Sequence, residues 1–181
     1  MTTDELESIL QQHPELAIED YSTFVETGTY GGDTTVVAAK LFRKVITIEA
    51  GPHYSVVKDR LALSAPNATC LFGRSEDVLP TLDLPERAVF YLDAHDCGIK
   101  DDDWSTNSLN LELDFLASRL LADTIIIDDA GMFGGYHGPK QDWREFTQDR
   151  TIRAFGGYAK DGGRVLRTAS MHNKYIVFLK G

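Results

Sequence analysis

Apolar and polar residues alternate along this chain with two different periods. Short runs of β-branched and aromatic residues, Thr23–Val25, Val45–Ile48, Thr69–Phe72, Ala88–Leu92 and Thr124–Ile127, predict strands. Between them Thr34–Arg43, His53–Ser64, Ser75–Leu82 and Leu109–Leu121 predict helices. Strands alternating with helices of this length imply right-handed crossovers and a mostly parallel sheet. The strand runs are apolar almost throughout, as expected when helices cover both faces. Upstream, Thr2 and Glu5 form a capping box before Leu6, Ile9 and Leu10, which predicts a short amphipathic helix stopped near Pro14. The rhythm changes after a helix expected around Trp143–Phe155. Arg164–Ala169 and Lys174–Leu179 are strand-like, and the short Ser170–Asn173 between them permits only an antiparallel hairpin. The expected fold is α/β: a mostly parallel seven-stranded sheet, helices on both faces and a C-terminal antiparallel hairpin.

The 181 residues suffice for one domain with a substantial core, and no repeat or linker divides them. Residues 1–181 are therefore expected as a single domain, with a helix and short lid over 1–22 and the core over 23–181. Eighteen basic residues against twenty-eight acidic ones leave a net charge of −10. A protein that tracks nucleic-acid phosphates needs a basic surface, so no nucleic-acid partner is expected. An anionic membrane is disfavoured for the same reason, and no stretch approaches the length of a membrane span. The acidic N-terminus carries no apolar targeting segment. The two cysteines, Cys70 and Cys97, show neither disulfide-framework nor zinc spacing, which fits a reduced, cytoplasmic protein.

In such a sheet, ligands bind beyond the carboxyl ends of the strands. The first strand runs through Glu26-Thr27-Gly28-Thr29-Tyr30-Gly31-Gly32-Asp33-Thr34 into a helix. Gly28 allows a tight turn, and Gly31-Gly32 lets the backbone approach a ligand closely. Glu26 ends the first predicted strand, and Glu49 ends the second, 23 positions later. That interval is close to the roughly 20 residues over which an acid in a Rossmann-like fold reaches a ribose diol. A carboxylate suits that task because it accepts two hydroxyl hydrogen bonds at once. A dinucleotide would place its pyrophosphate on free N–H groups where the helix starts. There Asp33 is the expected N-cap and Glu26 lies just below, and two carboxylates would repel it. A cofactor carrying positive charge suits the loop better, and S-adenosylmethionine carries a sulfonium and an α-ammonium.

Val25-Glu26-Thr27-Gly28-Thr29-Tyr30 with Asp33-Thr34-Thr35, then Thr47-Ile48-Glu49, Tyr91-Leu92-Asp93-Ala94-His95 and Ile125-Ile126-Ile127-Asp128-Asp129-Ala130, resemble class I S-adenosylmethionine-dependent methyltransferases. They are most similar to the metal-dependent macrocin-type sugar O-methyltransferases and their uncharacterised bacterial relatives. The resemblance covers residues 23–135 and implies a Rossmann-like fold. It also implies that Glu26, Thr27, Gly28, Thr29, Tyr30, Asp33 and Thr34 surround the methionine part of the cofactor, with Asp93 beside them. Glu49 and Ala50 would take the ribose, and Arg74 and Ser75 the adenine. The chain departs from the family at Arg74, where an acid is common, so the adenine amino group would depend on Ser75 or Glu76. With 22 residues before the first predicted strand, the usual N-terminal lid is expected to be short or missing.

Asp93 ends the fourth predicted strand and Asp128-Asp129 the fifth. Neighbouring strands lie about 4.8 Å apart, so carboxylates at their ends can converge on one ion. An all-oxygen set of Asp93, Asp128 and Asp129 points to Mg²⁺, Ca²⁺ or Mn²⁺ rather than zinc, with Mg²⁺ the expected ion. Strand alternation stands against this, because Asp128 and Asp129 should face opposite sides unless the backbone turns there. Two substrate hydroxyls chelating such a metal would have one pKa lowered, which makes that oxygen a nucleophile towards the methyl group. Asp93 and His95 are the candidate catalytic residues, His95 as general base, with Lys100 as its rival.

The Asp101-Asp102-Asp103 run reads as a solvated loop face. The glycine- and aromatic-rich Met132–Trp143 segment reads either as a cover over the acceptor or as aromatics packed on the sheet. The expected partner is a hydroxylated small-molecule acceptor; homo-oligomer formation stays open. Three rivals remain: a metal-free methyltransferase, a nicotinamide-dependent oxidoreductase and a non-catalytic nucleoside-binding protein.

Overall fold

The capping box closes: Thr2 N donates to Glu5 Oε2 at 2.7 Å and Glu5 N to Thr2 Oγ1 at 3.2 Å. In the computed structural model, which describes residues 1–11, 21–94, 108–137 and 142–181, this box starts α1 (Thr3–Gln11). The strands are β1 (Thr23–Thr27), β2 (Lys44–Glu49), β3 (Ala68–Phe72), β4 (Ala88–Leu92), β5 (Thr124–Ile127), β6 (Val165–Met171) and β7 (Lys174–Leu179). They form one sheet in the order β3-β2-β1-β4-β5-β7-β6. The first five run parallel, and β7 is antiparallel to both β5 and β6. The expected seven-stranded, mostly parallel sheet with its C-terminal hairpin is present.

Helices α2 (Asp33–Leu41), α3 (Tyr54–Ser64), α4 (Ser75–Val78), α5 (Leu109–Ser118) and α6 (Gln148–Ala154) cover the sheet. The two-residue alternation of a strand assigns each position to one face. Val25, Phe90, Leu92, Ile125, Ile127 and Val177 meet Leu109, Leu113 and Leu116 of α5. Phe24, Val89, Tyr91, Ile126 and Ile176 meet Leu6 and Ile9 of α1 and Val37 and Ala38 of α2. Both faces are buried, which explains the continuous apolar runs. Each large side chain so covered contributes about 1.5–3 kcal/mol. At the opposite end from the ligand loops, buried Asp123 accepts from Ala88 N at 2.9 Å and from Arg119 Nε at 2.9 Å, tying α5 to β4.

Several boundaries differ from the sequence pattern, the helix expected over Ser75–Leu82 ending at Val78 among them, and three bear on the shape of the chain around the ligand end. The first strand runs two residues past Val25, so Glu26 lies inside β1, in register with Thr47 of β2 and Tyr91 of β4. The helix expected over Trp143–Phe155 starts only at Gln148. Gly134 N donates to Trp143 O and Phe146 O, and Phe146 N bonds Trp143 O at 2.9 Å, which folds residues 143–146 into a turn. Thr147 then caps α6, its side chain accepting from Arg150 N at 3.1 Å. The hairpin turn is two residues rather than four: Ser170 and Met171 pair with Tyr175 and Lys174, leaving His172 (φ 51°) and Asn173 (φ 61°). Positive φ at both turn positions matches the right-handed twist of the flanking strands. Among the described residues no helix is long and apolar enough to cross a membrane.

Candidate functional site

The carboxyl ends of β1, β2 and β4 meet around one glycine. Gly28 has φ 80°, and a Cβ there would lie 2.2 Å from the carbonyl oxygen of Asp93. Only glycine lets the turn after β1 pack against the end of β4. Asp93 N completes the junction, donating to Thr27 O at 3.1 Å and reaching Thr27 Oγ1 at 3.3 Å. Gly28 N and Thr29 N both bond Ile48 O.

Glu49 closes β2 and is buried. Its Oε2 accepts from Tyr30 N at 2.7 Å and its Oε1 from Gly51 N at 2.6 Å. The carboxylate thus holds the loop after β1 and the turn after β2 in one arrangement, with Ala50 half-buried between. Tyr30 has φ 45°, and its exposed ring meets His53 edge-on.

Glu26 is turned into the protein. Thr35 Oγ1 of α2 and Thr47 Oγ1 of β2 donate to its Oε2, the latter at 2.6 Å, and Thr47 is itself 2.5 Å from Thr29 Oγ1. Burial pushes the Glu26 carboxyl up to about 7, against the pull of its two hydroxyl donors. Asp33 does not cap α2. Gly32 is the N-cap (φ 79°), and the exposed Asp33 carboxylate pairs with Arg60 Nη2 at 2.6 Å. Thr34 is buried, its Oγ1 accepting from the Met1 ammonium at 3.0 Å.

After β3, Arg74 pairs with Glu76 Oε1, and the buried Ser75 Oγ lies 3.5 Å from Glu76 Oε2. A second buried acid stands nearby. Glu112, in the first turn of α5, is 1% exposed, and its Oε1 has no hydrogen-bond partner. Burial raises its carboxyl to about 7, while the Ser75 and Thr27 hydroxyls act in the other direction.

At the ends of β4 and β5, Tyr91 Oη donates to Asp128 Oδ2. Asp128 Oδ1 accepts from Asp129 N at 2.8 Å and lies 3.3 Å from Lys174 Nζ. Burial, then the charges of Asp93 and Asp128, hold the Tyr91 phenol far above its ordinary value. Asp129 turns away in a left-handed conformation (φ 50°), its Oδ1 accepting from Asn173 Nδ2 at 3.0 Å. Asn173 also accepts from Gly131 N through its side chain and from Ala130 N through its carbonyl.

The structure therefore brings Glu26, Glu49, Asp93 and Asp128 to one end of the sheet and turns Asp33 and Asp129 towards other partners. The anticipated three-aspartate metal set does not form as arranged. Among the described residues no group of three or more His, Cys, Asp or Glu side chains is placed to hold a metal ion. The Lys174 ammonium beside Asp128 sets a like charge against an incoming cation. An acidic surround and a buried carboxyl oxygen left without a donor do fit a nucleoside that carries positive charge. His95, Lys100, Cys97 and Asp101–Asp103 lie outside the described residues. Two aromatics of the loop after β5 pack inward, Phe133 stacking on Trp143 with Tyr175 and Phe146 against them, while Tyr136 is exposed beneath the Arg144 guanidinium.

Tyr91, Glu112 and Lys174 belong to this end of the sheet although strand-end motifs do not reveal them. Glu112 had a signal, because positions 109, 112, 113 and 116 form the buried stripe of α5 and only position 112 is charged.

No family model and no curated protein matches the chain. Solved structures do. The chain is similar to the O-methyltransferase TomG from Streptomyces achromogenes, involved in tomaymycin synthesis and solved with SAM, at 18% identity over 94% of this chain and 78% of that one, TM-score 0.60. It is also similar to an O-methyltransferase from Bacillus cereus in complex with SAH, at 19% identity over 99% and 80%, TM-score 0.63. A precorrin-6y C5,15-methyltransferase from Geobacter metallireducens matches at 16% identity over 94% and 89%, TM-score 0.56. At these identities the likeness establishes the fold, a Rossmann-like methyltransferase fold.

Proposed function

We propose that this protein transfers a methyl group from S-adenosylmethionine to a hydroxyl of a small molecule, a sugar unit being the favoured acceptor. The observation that carries the reading is Glu49: a buried carboxylate at the tip of β2, fixed by two backbone N–H groups beside the tight turn at Gly28. The structural likeness to SAM- and SAH-bound O-methyltransferases supports it. On this reading Glu49 and Ala50 take the ribose, Thr27 to Tyr30 with Glu26 and Asp93 line the methionine part, and Ser75 borders the base.

When bound, S-adenosylmethionine supplies a methyl group on a positively charged sulfur. The protein's part is to hold that charge and to orient the acceptor. Glu49 and Asp93, at the ends of β2 and β4, give this end of the sheet a negative potential that favours a sulfonium. Asp93 and His95, two residues further, are the candidates to take the hydroxyl proton. Positioning of the acceptor oxygen against the methyl carbon supplies much of the acceleration.

Metal assistance is the second form of this reading, favoured by the placement of Asp93, Asp128 and Asp129 at neighbouring strand ends. It requires Lys174 to leave Asp128 and Asp129 to turn back from Asn173. Chelation separates the forms: loss of turnover with EDTA and recovery with Mg²⁺ supports the metal, and unchanged turnover supports the arrangement described.

The test of the shared reading is a thermal-shift and calorimetry panel with S-adenosylhomocysteine and NAD. Stabilisation by S-adenosylhomocysteine alone supports it, because a ligand that binds the native state raises the melting temperature. Stabilisation by NAD alone overturns it in favour of an oxidoreductase. Radiolabelled S-adenosylmethionine with a panel of hydroxylated acceptors then distinguishes an enzyme from a binding protein.

A further inference from the structure

The two-residue bend before β7 acts on both aspartates that follow β5. Its second residue, Asn173, donates from its side-chain amide to Asp129 Oδ1 at 3.0 Å and receives Gly131 N and Ala130 N on its two oxygens. Its first, His172, receives Lys174 Nζ on its carbonyl oxygen at 3.2 Å, and the same ammonium lies 3.3 Å from Asp128 Oδ1. Neither bend residue is glycine, yet both hold positive φ, 51° and 61°. A side-chain-bearing residue keeps a left-handed backbone only where its surroundings hold it there. One bend therefore draws Asp129 aside and sets a cation on Asp128.

Both oxygens of Asp128 are engaged. Oδ1 accepts from Asp129 N at 2.8 Å and faces Lys174, and Oδ2 takes the Tyr91 phenol. A divalent ion needs carboxylate oxygens with open lone pairs, and Mg²⁺ tolerates little departure from octahedral geometry. It would also meet the Lys174 ammonium in a place nearly closed to water, since Lys174 is 5% exposed. Like charges repel far more strongly there than in bulk solvent. The donors at these strand ends do not fit a divalent ion, because the next strand already supplies a cation.

We infer that Lys174 is the resident counter-ion of this strand-end cluster, a positioning residue that takes the place a divalent metal would need beside Asp128 and keeps the site metal-independent. This deepens the proposed methyltransferase reading and rests on it for turnover alone. The transfer balances without an ion: the O–CH₃ bond forms as the S–CH₃ bond breaks, and the electron pair stays on sulfur. The hydroxyl proton leaves to a base, for which Asp93 and His95 are the candidates. Lys174 keeps its protons throughout and holds the Asp128 carboxylate in one orientation.

The experiment titrates Mn²⁺ into the full chain, followed by calorimetry and by the electron paramagnetic resonance signal of the free ion. Wild type and Asp128→Asn are expected to bind Mn²⁺ alike, within about threefold. Lys174→Ala, which opens Asp128, is expected to bind Mn²⁺ about tenfold or more tighter than wild type. Lys174→Arg, which keeps the charge, should stay at the wild-type level. The gain should vanish in the double variant Lys174→Ala/Asp128→Asn. If Lys174→Ala does not fold, Lys174→Met, which keeps the length of the side chain, replaces it; if neither folds, wild type against Asp128→Asn decides. No gain in a folded variant overturns the inference, as does a gain that survives Asp128→Asn. Wild-type Mn²⁺ binding abolished by Asp128→Asn overturns it too, as does wild-type turnover lost in EDTA and restored by Mg²⁺. S-adenosylhomocysteine titrated into the same preparations reports separately on the methyltransferase reading. Absence of binding there overturns that reading and leaves the place of Lys174 standing.

Discussion

Lys174 Nζ lies 3.3 Å from Asp128 Oδ1, and the two side chains are 6% and 15% exposed. The ion pair joins the end of β5 to the start of β7 and is further held by the Tyr91 phenol on the second Asp128 oxygen. Replacing Asp128 by Asn leaves Lys174 unbalanced in a covered position. We expect Asp128→Asn to keep S-adenosylhomocysteine affinity within about threefold and to lower methyl transfer by about a hundredfold or more, as removal of a preorganised charge does. Calorimetry and a turnover assay on the same preparation check both halves.

Glu49→Ala removes the anchor of two loops as well as the expected ribose acceptor. Affinity for S-adenosylhomocysteine should fall by about 1–3 kcal/mol, or about fivefold to 150-fold. Unchanged affinity in a titration would show that the ribose is bound elsewhere.

Glu26 and Glu112 set a pH window for stability. Each carboxyl is raised by burial from 4.5 to about 7, so the folded chain holds protons that the unfolded chain has released. The sign follows: stability from these groups is full below about 4.5 and is lost as pH rises towards 7. The loss is on the order of a few kcal/mol for each. Glu26→Gln and Glu112→Gln should flatten the dependence of melting temperature on pH between about 5 and 7. A profile as steep as that of the wild type would refute the assignment.

Asp123 is fully buried and receives Arg119 and Ala88 N. Asp123→Ala strands a nearly covered guanidinium and should cost about 3–5 kcal/mol. For a chain of this size that corresponds to roughly 10 °C in melting temperature, measurable by calorimetry.

Asn173 combines a left-handed backbone with three hydrogen bonds to the segment Asp129–Gly131. Asn173→Gly keeps the backbone geometry and loses the two side-chain bonds; Asn173→Ala loses these and adds strain. Asn173→Ala should therefore melt below Asn173→Gly by an amount corresponding to about 1 kcal/mol. Equal melting temperatures would remove the argument from backbone geometry.

Much of this arrangement was legible in the residues. The five parallel strands, the hairpin and the capping box followed from period and turn chemistry. The tight turn at Gly28 and the place of Glu49 at a strand end were legible because both are local, at the end of one strand and the turn after it. Asp33 was misplaced as a cap because Gly32, whose φ of 79° is invisible in composition, takes that position. Asp128 and Asp129 look equivalent in sequence; the left-handed turn at Asp129 and the reach of Asn173 from a distant hairpin separate them. Tyr91 reads as one more core aromatic, and only its register beside Glu26 discloses a phenol at the ligand end. Long-range pairing decides such cases, and local pattern does not encode it.

The reversed direction of β7 has a consequence for how this scaffold can diversify. A strand that runs against its neighbours delivers its opening residue, Lys174, to the rim where the others deliver their closing ones. The buried pairing of β7 with β5 fixes that residue's place, so the charge at the rim depends on which side chain opens the strand. Electrostatic character at the rim can thus be retuned by one substitution after the tight bend, with no change to any of the parallel strands.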